Sequence, residues 1–262
     1  ESVPHGSHHS FILKVNDGIT ITKKNWLPIE KNLVESNNKQ IGFVLVAIDT
    51  ADCGIARLKG THLEFIPNMY SGSGGKRYKT NFNIEKFFEQ VQQAVFSIVK
   101  ETDSIVIFGP GETKKRFSNF LLKSQNAQKY KIQVTEGIDS GGEDGIYTFT
   151  KSQTMKEIMS ESKLAKVSSI IDEIMLRANK KSRKFTMGFE ETLKANQFGA
   201  VELLVFSDKA IQTNDEKKVI ELLNDAESKG VKTYSVDSST DIGLRVTGLG
   251  GIVSLLRYAI ES

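Results

Sequence analysis

Residues 71–79 read Ser-Gly-Ser-Gly-Gly-Lys-Arg-Tyr-Lys and hold the densest chemistry of the chain. Lys76, Arg77 and Lys79 are cations able to meet phosphate oxygens, and Tyr78 offers a ring on which a base can stack. Gly72, Gly74 and Gly75 give the segment backbone freedom, at an entropic cost when it orders. The alternative is a solvated loop with incidental charge. The loop is no phosphate-cradling P-loop, because Lys76 lacks a following Ser or Thr and no Gly stands five positions before Gly75.

Other stretches offer less. Gly109-Pro110-Gly111 precedes Lys114, Lys115 and Arg116, and glycines at a helix start can seat an anion on free N–H groups. The same residues also serve as a turn that reverses the chain. Lys180, Lys181, Arg183 and Lys184 cluster at an expected helix end, where cations complement the helix dipole without any ligand. Asp49 and Asp52 follow a buried run, as the carboxylates of a two-metal nuclease would. Only Glu64 adds an acid nearby, and aspartate at a strand end is also a turn former. His62 has no serine or cysteine that the sequence pairs with it. His5, His8 and His9 lie among glycine and serine, in a hinge or tag remnant without fixed ligand geometry. Cys53, the single cysteine, excludes an intrachain disulfide, suits a reducing compartment and reads as a small core residue. Gly248-Leu249-Gly250-Gly251 is too close to the end to open a dinucleotide-binding unit. The expected inventory contains no catalytic group, no metal and no cofactor.

Composition sets the frame for these residues. With 35 Lys and Arg against 32 Asp and Glu, the net charge is +3, so any polyanion binding must come from local clusters. Hydrophobic residues at 39% and charged residues at 26% describe a globular chain of 262 residues, long enough for one large domain or two ordinary ones. No apolar run reaches the roughly 20 residues that span a bilayer. The start has no signal-peptide core and no initiator methionine, and the expectation is a natural N-terminus lying upstream.

The elements that must position the loop follow from periodicity. Phe11–Val15 and Ile19–Thr22 flank Asn16-Asp17-Gly18 as an expected hairpin, and residues 25–36 as a helix. Ile41–Ile48 is nearly continuous apolar sequence, a strand buried on both faces. Gly54–Lys59 and His62–Ile66 extend it as a meander. Beyond the loop, apolar residues from Ile84 to Val99 recur at helical spacing, and Ser104–Phe108, a basic helix through Leu122, and Tyr130–Val134 follow. The pattern predicts a mixed sheet flanked by helices, with ribonuclease-H-like topology. After the glycine-rich stretch 140–145 the spacing predicts a helix over 152–180, a helix over 188–199, a strand at Val201–Phe206, a helix at Glu216–Lys229 and a strand at Val231–Val236. Residues 250–258 suit strand or helix. The expected division is a hinge at 1–10, a central domain at 11–155, and a C-terminal α/β/α domain at 156–262.

Together these stretches resemble the Pelota family, the archaeal-type paralogues of the class-1 peptide release factor. Gly6-Ser7-His8-His9-Ser10 is similar to the family's linker into the central domain, which would make the histidines native. Gly109-Pro110-Gly111 with Lys114 resembles the central strand-to-helix turn, and Gly141-Gly142-Glu143-Asp144-Gly145 the end of that domain. Phe198-Gly199-Ala200-Val201-Glu202-Leu203-Leu204 and Gly248-Leu249-Gly250-Gly251-Ile252 with Leu256-Arg257-Tyr258 resemble the C-terminal domain shared with release factors.

The resemblance implies an L30-like fold for that domain and a strand over 251–258. On this resemblance the family's N-terminal Sm-like domain is expected to lie outside the 262 residues, and with it the proposed seat of an endonuclease activity. By this resemblance the protein is a cytoplasmic mRNA-surveillance and ribosome-rescue factor of no-go decay, not an enzyme. It would enter the vacant A site of a stalled ribosome with an elongation factor 1-alpha type GTPase, and an ABC-type recycling ATPase would help split the subunits. Its central domain would face ribosomal RNA through Lys76, Arg77, Tyr78, Lys79, Lys114, Lys115 and Arg116. Release factors carry Gly-Gly-Gln at the peptidyl-transferase centre, and Gly74-Gly75-Lys76 stands in the comparable place. An ammonium donates but accepts nothing, so it cannot replace the amide, and no peptidyl-tRNA hydrolysis is expected. A release-factor-like hydrolase and a metal-dependent nuclease are the alternative readings.

Overall fold

A computed structural model describes residues 12, 14, 18–31, 34, 41–72 and 83–260. Two sheets organise them. The first has five strands, β1 (Phe43–Ile48), β2 (Asp52–Lys59), β3 (His62–Tyr70), β4 (Ser104–Phe108) and β5 (Lys131–Val134), in the order β3-β2-β1-β4-β5. β1–β2 and β2–β3 pair antiparallel, while β1–β4 and β4–β5 pair parallel. This is the mixed, ribonuclease-H-like sheet that the pattern predicts.

Every residue of β1 is buried, and alternation sends its side chains to two cores. Val44, Val46 and Ile48 join Phe87, Phe88 and Val91 of α2 (Ile84–Ile98) and Phe117 and Leu121 of α3 (Thr113–Leu122). Phe43, Leu45 and Ala47 face the opposite way, toward Ile146 and Phe149 of α4 (Gly142–Thr150), where Phe149 stacks on Phe108 with ring centroids 4.3 Å apart.

The second sheet contains β6 (Phe185–Met187), β7 (Val201–Ser207), β8 (Lys232–Val236) and β9 (Ile252–Leu256), ordered β6-β9-β7-β8. Residues 252–256 are therefore strand, paired antiparallel with β7. One face packs on α7 (Phe189–Gln197), the short α8 (Asp208–Thr213) and α9 (Glu216–Ser228). The other packs on α6 (Lys163–Asn179) and α10 (Asp241–Gly248), whose core runs on into the α4 side of the first sheet.

Several expectations change. The described residues 18–22 contain no strand, and the rest of the expected hairpin, 11, 13 and 15–17, lies outside the described residues. Ile19 and Ile21 there are 50% and 62% exposed, with no sheet face to cover them. Of the expected helix over 25–36, residues 28–31 form a short α1, with 34 also helical. Pro28 opens it, and the Glu30 carboxylate accepts from the Leu27 N–H at 3.0 Å, as a capping-box acid does. The helix expected over 152–180 is broken into α5 (Gln153–Ile158), which Ser152 caps by accepting from Met155 N–H, and α6, where Ser162 caps a fresh start by accepting from Ala165 N–H.

Candidate functional site

Strand direction brings the chemistry together. The carboxyl ends of β1, β3, β4 and β5 and the start of β2 share one end of the first sheet, the place where α/β proteins bind ligands. From it leaves the segment after Tyr70, anchored by the Ser71 N–H donating to the Ala51 carbonyl at 2.8 Å and its hydroxyl to the Thr50 carbonyl at 2.7 Å. Gly72 has φ +75 and open space around it, a conformation that glycine adopts without strain. The return is fixed by Asn83, whose side chain caps α2 by accepting from Glu85 and Lys86 N–H. Gly74, Gly75, Lys76, Arg77, Tyr78 and Lys79 lie outside the described residues.

The Gly109–Gly111 turn links β4 to α3 beside these anchors. Gly109 takes φ +137 and passes so close to β1 that a Cβ would stand 2.2 Å from the Ile48 carbonyl oxygen. Lys114 is 4% exposed. Its Nζ donates to the carbonyls of Gly109 at 2.9 Å and Gly111 at 2.6 Å, and pairs with Glu136 at 2.8 Å. Its ammonium therefore braces the turn and ties it to the segment after β5. Lys115 is half-exposed and meets Glu112 at 3.1 Å and Glu136 at 3.3 Å. The hydrogen bonds that Lys115 donates to Glu112, then to Glu136, raise its pKa, and those that Glu136 accepts from Lys114, then Lys115, lower that of Glu136. Arg116 is exposed, with no ion pair among the described residues. The geometry at this turn favours the chain-reversing role over an anion seat.

The aspartates at the same end serve the backbone. Asp49 accepts from the Thr50 hydroxyl at 2.8 Å and the Ala51 N–H at 2.9 Å, closing the β1–β2 turn. The Asp52 carboxylate lies against the start of α4, where a Cβ on Gly142 would stand 2.5 Å from its Oδ2 and one on Gly141 2.8 Å from its Oδ1. Burial, then the charges of Asp49 and Asp144, raise its pKa. Glu64 pairs in register with Arg57, toward the opposite end of β2. Among the described residues no three His, Cys, Asp or Glu side chains are grouped to hold a metal.

Of the remaining candidates, Cys53 is fully buried, and desolvation pushes its thiol well above the ordinary range. His62 Nε2 lies 3.1 Å from Asp237 Oδ2, a contact that joins the first sheet's hairpin to the end of β8. Gly250 and Gly251, at φ +99 and +78, form the turn from α10 into β9. Glu136 was not singled out by sequence reasoning, since a lone acid after a short strand gives no signal.

Comparison with known proteins fits these two sheets to relatives. Residues 164–260 match the family model of eRF1 domain 3. The chain is 82% identical over 262 residues to a protein pelota homolog of Nitrosopumilus maritimus, covering 100% of this chain and 75% of that protein. It is 49% identical over 258 residues to the protein pelota homolog of Cenarchaeum symbiosum, covering 98% and 74%. Among solved structures, the crystal structure of the Thermoplasma acidophilum Pelota protein superposes with a TM-score of 0.65 at 23% identity, covering 90% of this chain and 72% of that one, a likeness of fold.

Proposed function

Since the chain belongs to the Pelota family, we propose that it acts in ribosome rescue. It binds the A site of a stalled ribosome together with an elongation factor 1-alpha type GTPase. It then promotes subunit dissociation with an ABC-type ATPase, without hydrolysing peptidyl-tRNA. The cytoplasm is the compartment this role implies, and no described helix is long and apolar enough to cross a membrane. The division into a hinge at 1–10, a central domain at 11–155 and a C-terminal domain at 156–262 belongs to the same proposal.

The observation that carries the reading is family membership combined with Gly74-Gly75-Lys76. A lysine there brings a point charge for phosphate and no acceptor to help orient an attacking water. The anchoring of residues 71 and 83 at the carboxyl end of the sheet, where α/β folds commonly bind ligands, supports a contact role for the segment between them. Arg116 flanks that end as an outward cation, Lys115 reaches it with its charge shared between Glu112 and Glu136, and Lys114 acts on the RNA contact only by holding the turn.

The test is subunit splitting of stalled ribosomes with the GTPase and the ATPase present. The chain is expected to accelerate splitting, and a Lys76, Arg77, Lys79→Ala variant to slow it by about tenfold or more, the loss of a few phosphate contacts. Unchanged splitting in that variant removes the loop from the mechanism. Labelled peptide released above background from the same complexes would instead support the release-factor-like hydrolase.

A further inference from the structure

The cluster that ends α6 has none of the neutralising partners found at α3. Lys180, Lys181, Arg183 and Lys184 are all exposed, and none takes part in an ion pair among the described residues. The one acid of the last α6 turns beside them, Glu173, is held by Arg177 at 2.7 Å. Lys181 is the sole non-glycine residue with positive φ among the described residues, at 53°. It occupies the left-handed position of a Schellman turn, in which the Ser182 N–H donates to the Arg177 carbonyl at 2.9 Å and the Lys181 N–H to the Ala178 carbonyl at 3.0 Å. Glycine fills that position without steric cost, so a lysine there is a strained choice that helix termination does not require.

The surroundings add rings to the charge. Arg177 Nη1 donates to the carbonyls of Lys184 at 2.7 Å and Leu256 at 3.2 Å, fixing the cluster beside the end of β9. There Arg257 is exposed, and its N–H donates to the Ala200 carbonyl at 2.9 Å. Phe198 and Tyr258 are 60% and 48% exposed, and the Tyr258 hydroxyl donates to the Phe198 carbonyl at 2.6 Å. Cations and solvent-facing rings thus share one end of the second sheet.

We propose that this end is a second RNA-binding surface, taking a single-stranded or looped segment. Lys180, Lys181, Arg183, Lys184 and Arg257 meet phosphates, and the rings of Phe198 and Tyr258 receive unstacked bases. An acidic protein segment would satisfy the charges but leave the rings unused. The inference rests on the ribosome reading above and adds to it a contact made by the second sheet's unit.

The experiment is fluorescence anisotropy of the full chain with a labelled, unstructured 20-nucleotide RNA, across a salt series. It is run on the natural chain and on the Lys76, Arg77, Lys79→Ala background, to separate the two surfaces. Changing Lys180, Lys181, Arg183 and Lys184 to Ala should weaken binding by about tenfold or more near ~100 mM salt and flatten the log–log salt slope by about 2–3, at roughly 0.7 per phosphate. Replacing the lysines by arginine should keep affinity. Phe198→Ser should weaken binding several-fold with the slope unchanged, because stacking is not a counterion effect. Lys181→Gly should fold at least as stably as the natural chain yet lose affinity, which separates display of the charge from helix capping.

Wild-type affinity and slope in the fourfold variant would overturn the proposal. So would competition by polyglutamate as strong as by poly(U), which would assign the surface to an acidic protein. Failure of the natural chain to split ribosomes, with the anisotropy differences intact, would sink the rescue reading alone. Intact splitting without those differences would sink this surface alone.

Discussion

Two helix ends in this molecule carry nearly the same string of cations and use them in opposite ways. At the start of α3, Lys114 is buried against two carbonyls and Glu136, and Lys115 is shared between Glu112 and Glu136, which leaves Arg116 outward. At the end of α6, Lys180, Lys181, Arg183 and Lys184 stand exposed, with no ion pair among the described residues. The first cluster is neutralised within the protein and serves the fold, while the second keeps its charge for something outside. A run of lysines in a sequence therefore says little about binding until the acids that fold beside it are counted.

The comparison breaks most sharply at Lys114. Lys114→Met removes hydrogen bonds from a buried turn while keeping the aliphatic volume, and should destabilise the chain by about 2–3 kcal/mol. Lys180→Met should stay within about 0.5 kcal/mol, as exposed substitutions do. Urea denaturation of the two variants checks the contrast, and equal costs would erase the distinction between the clusters. A smaller effect of opposite sign is expected at Lys181, where glycine relieves the left-handed strain. Lys181→Gly should gain about 0.5–1 kcal/mol, read as a higher melting temperature.

The α3 cluster can also be turned toward the behaviour of the α6 one. Glu136→Gln withdraws the carboxylate shared by Lys114 and Lys115, and the pKa of Lys115 should fall toward its ordinary value while the charge becomes available to solvent. RNA affinity measured by anisotropy should rise about two- to three-fold, a surface-charge effect that high salt removes. No rise would mean that Lys115 faces away from the bound RNA.

How far these features could be read in advance depended on the range of the interactions. β1 was legible because burial on both faces leaves a continuous apolar run, and α2 because its buried residues repeat at helical spacing. The helix α4 was not. Its stretch of glycines reads as a loop, yet Gly145 and Gly54 are small because the helix start lies on the sheet. A Cβ on Gly145 would stand 2.8 Å from that of Ala47, and one on Gly54 2.3 Å from the Gly142 backbone. The burial of Lys114 depends on Glu136, distant in sequence and brought near only by β5. The Schellman turn at Lys181 was hidden for a different reason, since lysine lacks the glycine signature of that position.

The smallest effect concerns the acids that share the α3 end of the sheet. Asp52 has its pKa raised by burial and by the charges of Asp49 and Asp144, so the folded chain holds that proton more tightly than the unfolded one. The stabilisation from this proton is fully present below the unfolded pKa of about 3.9 and is lost as pH rises through the folded value. Asp52→Asn should therefore match the natural chain near pH ~3.5 and exceed it in stability toward neutral pH. The gain is a few tenths of a kcal/mol, because solvent screens most of the carboxylate and the N-terminus of α4 pulls the other way. Melting temperatures of both chains across this range decide the sign. Greater stability of the natural chain at neutral pH would show that the helix N-terminus outweighs the neighbouring acids. The α3 end would then be organised to hold negative charge, as well as to neutralise its lysines.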